Sequence, residues 1–95
     1  MSKFTVSWWV VFFDHEPEIH YLIDEEFEAE SLDEMYAFLE EGMDNNTFEP
    51  EEKIPDSWSL GNLNLEYGII RDKKGNVLYK DEDLDEDKIP FENRL

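Results

Sequence analysis

Phe4, Val6, Trp8, Val10 and Phe12 alternate with Thr5, Ser7, Trp9, Val11 and Phe13. A period of two through β-branched and aromatic residues predicts a strand over 3–13. One face is apolar throughout. The other begins polar and turns apolar at Trp9, as expected of a central strand covered on both sides. Asp14-His15-Glu16-Pro17 reads as a turn, and Ile19, Tyr21 and Ile23 against His20, Leu22 and Asp24 predict a second strand at 18–24. The period then changes. Leu32, Met35, Tyr36, Leu39 and Met43 recur at helical spacing behind a capping box, Ser31 with Glu34 three residues on. This predicts a helix over 32–42, with Gly42 as its stop. Residues 43–57 carry Asn45-Asn46, Pro50 and Pro55 and read as a loop. Leu63, Leu65, Tyr67 and Ile69 alternate with Asn64, Glu66, Gly68 and Ile70 as a third strand. Asp72-Lys73-Lys74-Gly75 is a hairpin turn with glycine at its left-handed position, and Asn76–Lys80 is the returning strand.

The predicted fold class is α+β: a small antiparallel sheet in ββαββ order with one helix packed on a face. Residues 1–95 make a single acidic domain, with 81–95 a tail that the pattern leaves loose. One helix covers one face of the sheet. The apolar patch of Trp9, Val11 and Phe13 therefore needs another cover: the long loop with Trp58, a second copy of the chain in a homodimer, or a partner.

Charge changes the picture most. The 95 residues hold 26 Asp and Glu against 8 Lys and Arg, a net charge of −18. A small domain needs a charge of only about 2–8 for solubility, and an excess is self-repelling. The distribution is uneven. From Phe4 to Glu52 there is no Lys or Arg, yet that stretch holds 16 of the 26 carboxylates. With 15% aromatic residues the chain is unlike a disordered acidic segment. There is no Cys, hence no disulfide or thiolate chemistry. The start of the chain lacks a signal-peptide pattern, and the longest apolar run, Trp8–Phe13, is far short of the ~20 residues of a membrane span. A cytoplasmic, non-membrane protein is expected.

No catalytic centre is evident, and the expectation is of a protein that is not an enzyme. Carboxylates are too many for one acid–base pair to stand out, and no nucleophile or phosphate-loop motif is present. His15 and His20 lack the further convergent ligands of a metal site. Asp81, Asp83, Asp85, Asp87 and Glu92 fall at EF-hand positions, but the obligatory glycine is replaced by Glu86. No cofactor and no metal are expected. Direct nucleic-acid binding is disfavoured, because phosphates repel this surface.

The inverse reading is more specific. Carboxylates two apart on a strand lie about 6.7 Å apart, and those three or four apart on a helix about 5–6 Å. Rows of them on adjacent elements resemble the charge density of a nucleic acid. Asp14, Glu16 and Glu18 form one cluster; Asp24, Glu25, Glu26, Glu28 and Glu30 another; Asp33, Glu34, Glu40, Glu41 and Asp44 edge the helix. Trp9 and Trp58 are the expected aromatic anchors. In charge, size and this basic-free stretch from 4 to 52, the chain resembles the small acidic inhibitors that phages and mobile elements direct at host nucleases, anti-restriction and anti-CRISPR proteins among them. That likeness of type implies a basic, nucleic-acid-binding protein as partner and transfers no residues. An immunity protein or antitoxin with one cognate toxin, or a homo-oligomeric scaffold, are the other readings.

Overall fold

The computed structural model describes all of residues 1–95. Four antiparallel strands, β1 (Ser2–Phe12), β2 (Ile19–Ala29), β3 (Leu63–Asp72) and β4 (Val77–Lys80), form one sheet in the order β2-β1-β3-β4. A single helix, α1 (Leu32–Asp44), follows β2. The small α+β fold and its ββαββ order are as the alternation implies, and β1 is central.

The even residues of β1 face α1. Phe4, Val6, Trp8, Val10 and Phe12 join Ile23, Ala29, Met35, Leu39, Ile54 and Ile70 in the main core. Trp8 is fully enclosed, and its indole N–H, which cannot be left unpaired there, donates to Glu25 Oε1 at 3.0 Å.

Three departures from the sequence pattern shape the fold most. First, β2 runs on to Ala29, so the acidic stretch 24–29 is strand. Each residue of it pairs in register with β1, from Ser7 opposite Asp24 to Ser2 opposite Ala29. Ladder hydrogen bonds and the burial of Phe27 and Ala29 outweigh the poor strand propensity of Glu. Second, α1 does not stop at Gly42. It runs to Asp44 and is capped by Asn45, followed by Asn46 in the left-handed region (φ 55°), with Thr47 N–H donating back to Gly42 O at 2.9 Å. Gly42 is small for another reason: a Cβ there would come within 2.1 Å of the Phe48 ring. Gly42→Ala is therefore expected to destabilise the fold by about 1–2 kcal/mol. The overpacking term of about 1–3 kcal/mol exceeds the ~1 kcal/mol gained in helix propensity. A thermal melt showing G42A equal to or above the parent would remove this account.

Third, the alternation in β3 breaks at Gly68. Trp8 pairs with Tyr67 but Ser7 with Ile69, so Gly68 is the extra residue of a β-bulge. Ile69 is thereby turned away from Leu63, Leu65 and Tyr67, and Ile70 takes its place in the main core.

The second face of the sheet is covered over Leu22, Ile69 and Trp9 by the chain's own tail. Leu84 and Ile89 pack on Leu22, Ile69 and Trp9 in a smaller core. Leu84 Cδ2 lies 3.2 Å from where a Gly68 Cβ would stand, so the missing side chain makes room for it. The tail leaves β4 with Asp81 N–H donating to Gly68 O at 2.8 Å, and reaches the outer edge of β2. There Leu95 N–H donates to Leu22 O at 2.8 Å and Asp24 N–H to Leu95 O at 3.1 Å. Glu86 clasps it in place: Lys80 Nζ stands 3.1 Å from one carboxylate oxygen and Arg94 Nη1 3.6 Å from the other, while Arg94 Nη2 donates to the Glu86 carbonyl at 2.7 Å. The cover over Trp9 is thus the tail, not the loop with Trp58, while Phe13 stays 50% exposed. Trp58 stands 84% exposed.

Candidate acidic interface

The pleat of β2 divides the acidic run. Asp24, Glu26 and Glu28 point to the tail side of the sheet with His20 and Leu22. Glu25 points to the α1 side with Ile23 and Phe27. Asp24, Glu25 and Glu26 are therefore not one cluster. Asp24 is engaged inside the fold. Ser7, 1% exposed, donates its hydroxyl to Asp24 Oδ1 at 2.6 Å and accepts from Arg71 Nη1 at 3.0 Å. Glu25 is the acceptor for the Trp8 indole.

Other carboxylates are also spoken for. Asp14 accepts from the Asn62 backbone N–H at 2.9 Å and from its side-chain amide at 3.2 Å. It thereby ties the β1–β2 turn to the start of β3, next to His15, whose Nε2 is 2.8 Å from Leu60 O. Glu18 lies 3.7 Å from His20 Nε2. Glu40 accepts from the Tyr67 hydroxyl at 2.5 Å beside a cluster of Tyr36, Tyr67 and Tyr79 rings. Burial and that carboxylate hold the Tyr67 phenol well above its ordinary pKa.

Eight of the thirteen expected acids have no side-chain partner and are exposed: Glu16, Glu26, Glu28, Glu30, Asp33, Glu34, Glu41 and Asp44. All but Glu16, which sits in the β1–β2 turn, fall on the second half of β2, the following turn and α1. The edge of β2 is covered at Leu22 and Asp24 by the tail, but no backbone pairing is made along Glu26–Glu28. Charged side chains at an open strand edge also oppose edge-to-edge pairing. Asp33 and Glu34 favour the positive N-terminal end of α1, where Ser31 Oγ accepts from Glu34 N–H at 3.2 Å. Glu41 and Asp44 oppose the dipole at the other end.

The expected anchors fare differently. Trp9 is half-buried under the tail, stacked on His20 and donating to its Nδ1 at 3.1 Å, so it is not a free contact. Trp58 is free. An anchor that the sequence pattern did not single out is Phe38. It is 45% exposed, flanked along α1 by Glu34 and Glu41, and backed by Phe27 and Phe48 with ring centroids 5.4 and 5.5 Å away. Its signal was present: it lies off the Leu32–Met35–Leu39 stripe, on the acidic side of the helix.

A further acid, on β3, lies beside the tail. Burial, then hydrogen bonding to Asp81, then the charges of Asp81 and Asp83 raise the pKa of Glu66 above the ordinary carboxylate range. Ionised Glu66 thus opposes folding at neutral pH, and the penalty fades as pH falls through its raised value. Glu66→Gln is expected to stabilise at pH 7 by about 0.5 kcal/mol, on the scale of exposed pairs, and to lose that advantage below about pH 4, where the parent carboxyl is protonated. Glu86 has the opposite sign. Its hydrogen bond to Lys80 lowers its pKa, so the clasp stabilises the fold above the ordinary carboxylate value and weakens as pH falls through the depressed one. Melting curves of parent and E66Q between pH 3 and 7 check the first; a constant difference would refute it.

No cluster of three or more His, Asp and Glu side chains is arranged to hold a metal ion, and no helix is long and apolar enough to cross a membrane. No family model, curated protein or solved structure matches the chain.

Proposed function

We propose that the protein is a nucleic-acid mimic: a non-enzymatic inhibitor that occupies the basic nucleic-acid-binding site of a host defence or nucleic-acid-processing protein. It acts in the cytoplasm, in the manner of anti-restriction or anti-CRISPR proteins. The observation that carries the reading is the set of seven exposed carboxylates on β2, the following turn and α1 that form no ion pair, with Lys3, opposite Glu28, the one cation beside them in the strand pairing. Other acids are fixed by hydrogen bonds inside the fold. These seven are not, and they sit on rigid elements, so little ordering entropy is lost when they meet a cationic surface. Duplex DNA presents one charge per about 1.7 Å of axis. Glu26 and Glu28 lie on the tail side of the edge strand and the α1 acids on its other side, so negative charge flanks one edge of the molecule from both faces and steers encounter with a Lys/Arg-lined channel. Phe38 supplies an apolar contact within the charge.

A tagged pull-down from nuclease-treated bacterial lysate, eluted by a salt gradient and identified by mass spectrometry, tests this. Nucleic-acid-binding proteins released by salt and displaced by added duplex DNA are the expected result. A single small toxin held through high salt points instead to an immunity protein. Partners indifferent to both salt and DNA would end the mimicry reading.

A further inference from the structure

The C-terminal end of α1, the loop after it and the start of β3 enclose a cleft of about 370 Å³. Its walls are Met43, Phe48, Leu63 and Leu65; Glu49 and Glu51 bring carboxylates to it. The volume is in the range of small-ligand clefts, about 300–1,000 Å³. We propose that this cleft receives the side chain of one lysine or arginine from the basic partner. The proposal rests on the functional reading above and adds to it a defined point of docking outside the β2–α1 rows.

Three observations converge. The first is Glu51 Oε2, which is closed off from solvent and has no hydrogen-bond donor anywhere in the chain. A carboxylate oxygen in that position is under-satisfied, and Asn46, the one amide lining the cleft, makes no hydrogen bond to it. The second is the absence of an internal cation. Lys53 is the only basic residue in the loop, and its Nζ is turned to the Asp24 carbonyl at 3.2 Å; no ion pair involves Glu49, Glu51 or Glu52. The neighbouring Glu49, and then the charge of Glu51, raise the pKa of Glu52, which marks a local excess of negative charge. The third is the wall chemistry. A bare metal ion needs converging oxygen ligands, which four apolar side chains do not provide. A wholly apolar ligand would leave Glu51 unpaired. A long methylene stem ending in a cation satisfies both parts: the stem lies along Met43, Leu63 and Leu65, the charge meets Glu51, and Phe48 offers a ring face.

The test needs no partner. ¹⁵N- and methyl-labelled protein is titrated with n-propylguanidinium and n-butylammonium, the side-chain ends of Arg and Lys, and with neutral n-propylurea as control. The expected result is saturable shifts at Met43, Phe48, Leu63 and Leu65 with at least one of the cations and none with the urea. Glu51→Gln should weaken that binding about tenfold or more, as loss of a charged hydrogen bond implies. Met43→Lys should supply a cation in cis. It is expected to abolish probe binding and, being an unbranched replacement near a helix C-terminus, to leave the fold intact. Shifts spread over all acidic segments, or equal binding by parent and both variants, would overturn the proposal. Since the probes report on the cleft alone, its failure is separable from failure of the mimicry reading, which the DNA-displaceable pull-down decides.

Discussion

Leu84→Asp is expected to lower the free energy of unfolding by about 3–4 kcal/mol. Leu84 is 6% exposed and fills the space above Gly68, in contact with the cluster of Leu22, Ile69 and Ile89 and with Trp9. Removing a buried leucine side chain costs about 2–5 kcal/mol. The new carboxylate adds to that, because Glu66, Asp81 and Asp83 already repel one another there. For a small domain with a total stability of about 5–15 kcal/mol, the melting temperature should fall by about 12–25 °C. Trp9, exposed as the tail lifts, should shift its fluorescence to the red. Leu84→Met, which keeps volume and apolarity, should cost less than about 1.5 kcal/mol. If Leu84→Asp melted within about two degrees of the parent, the tail would not be part of the folded core.

Reversing Glu26, Glu28, Glu34 and Glu41 to Lys is expected to weaken binding to a basic partner at least about a hundredfold while leaving the circular dichroism unchanged. None of the four has a side-chain partner, so none is needed to hold the fold. Close charge pairs at interfaces couple by about 1.5–7 kcal/mol each, so even partial engagement of four gives an effect of that size. Asp24 and Glu25 are left alone because they accept from Ser7 and Trp8; reversing them would confound binding with stability. The variant should also be more thermostable at low salt. At 0.01 M the screening length is about 30 Å, comparable to a molecule of 40 × 29 × 22 Å, so every charge in a chain of −18 feels the rest. Unchanged affinity measured by anisotropy competition against duplex DNA would remove these four acids from the interface.

The candidate surface was legible in part. Seven of its acids were visible as residues without a cation nearby in sequence, and their row spacing on strand and helix follows from the period of each element. Which acids were free was not visible. Asp14, Asp24, Glu25 and Glu40 look like the rest in sequence, but their acceptor roles come from Asn62, Ser7, Trp8 and Tyr67, which lie 17 to 48 positions away. Trp9 was misread as an anchor for the same reason: its cover comes from residues 84 and 89.

The sequence by itself determined the class of fold, the order of its elements and the central place of β1. Those depend on local periodicity and on one cap, Ser31 with Glu34, and local terms are written along the chain. It determined the sign and asymmetry of the charge as well. Tertiary structure alone decided how far β2 extends, because pairing with β1 overrides the propensity of Glu25, Glu26 and Glu28. It also decided that Gly68 bulges and so sends Ile69 and Ile70 to opposite faces, and that an aperiodic acidic tail covers the second face over Leu22, Ile69 and Trp9. A short segment held by two apolar side chains, three main-chain hydrogen bonds and one Lys80–Glu86–Arg94 clasp carries no period to read, since its partners lie on strands distant in sequence and its own backbone forms no regular ladder.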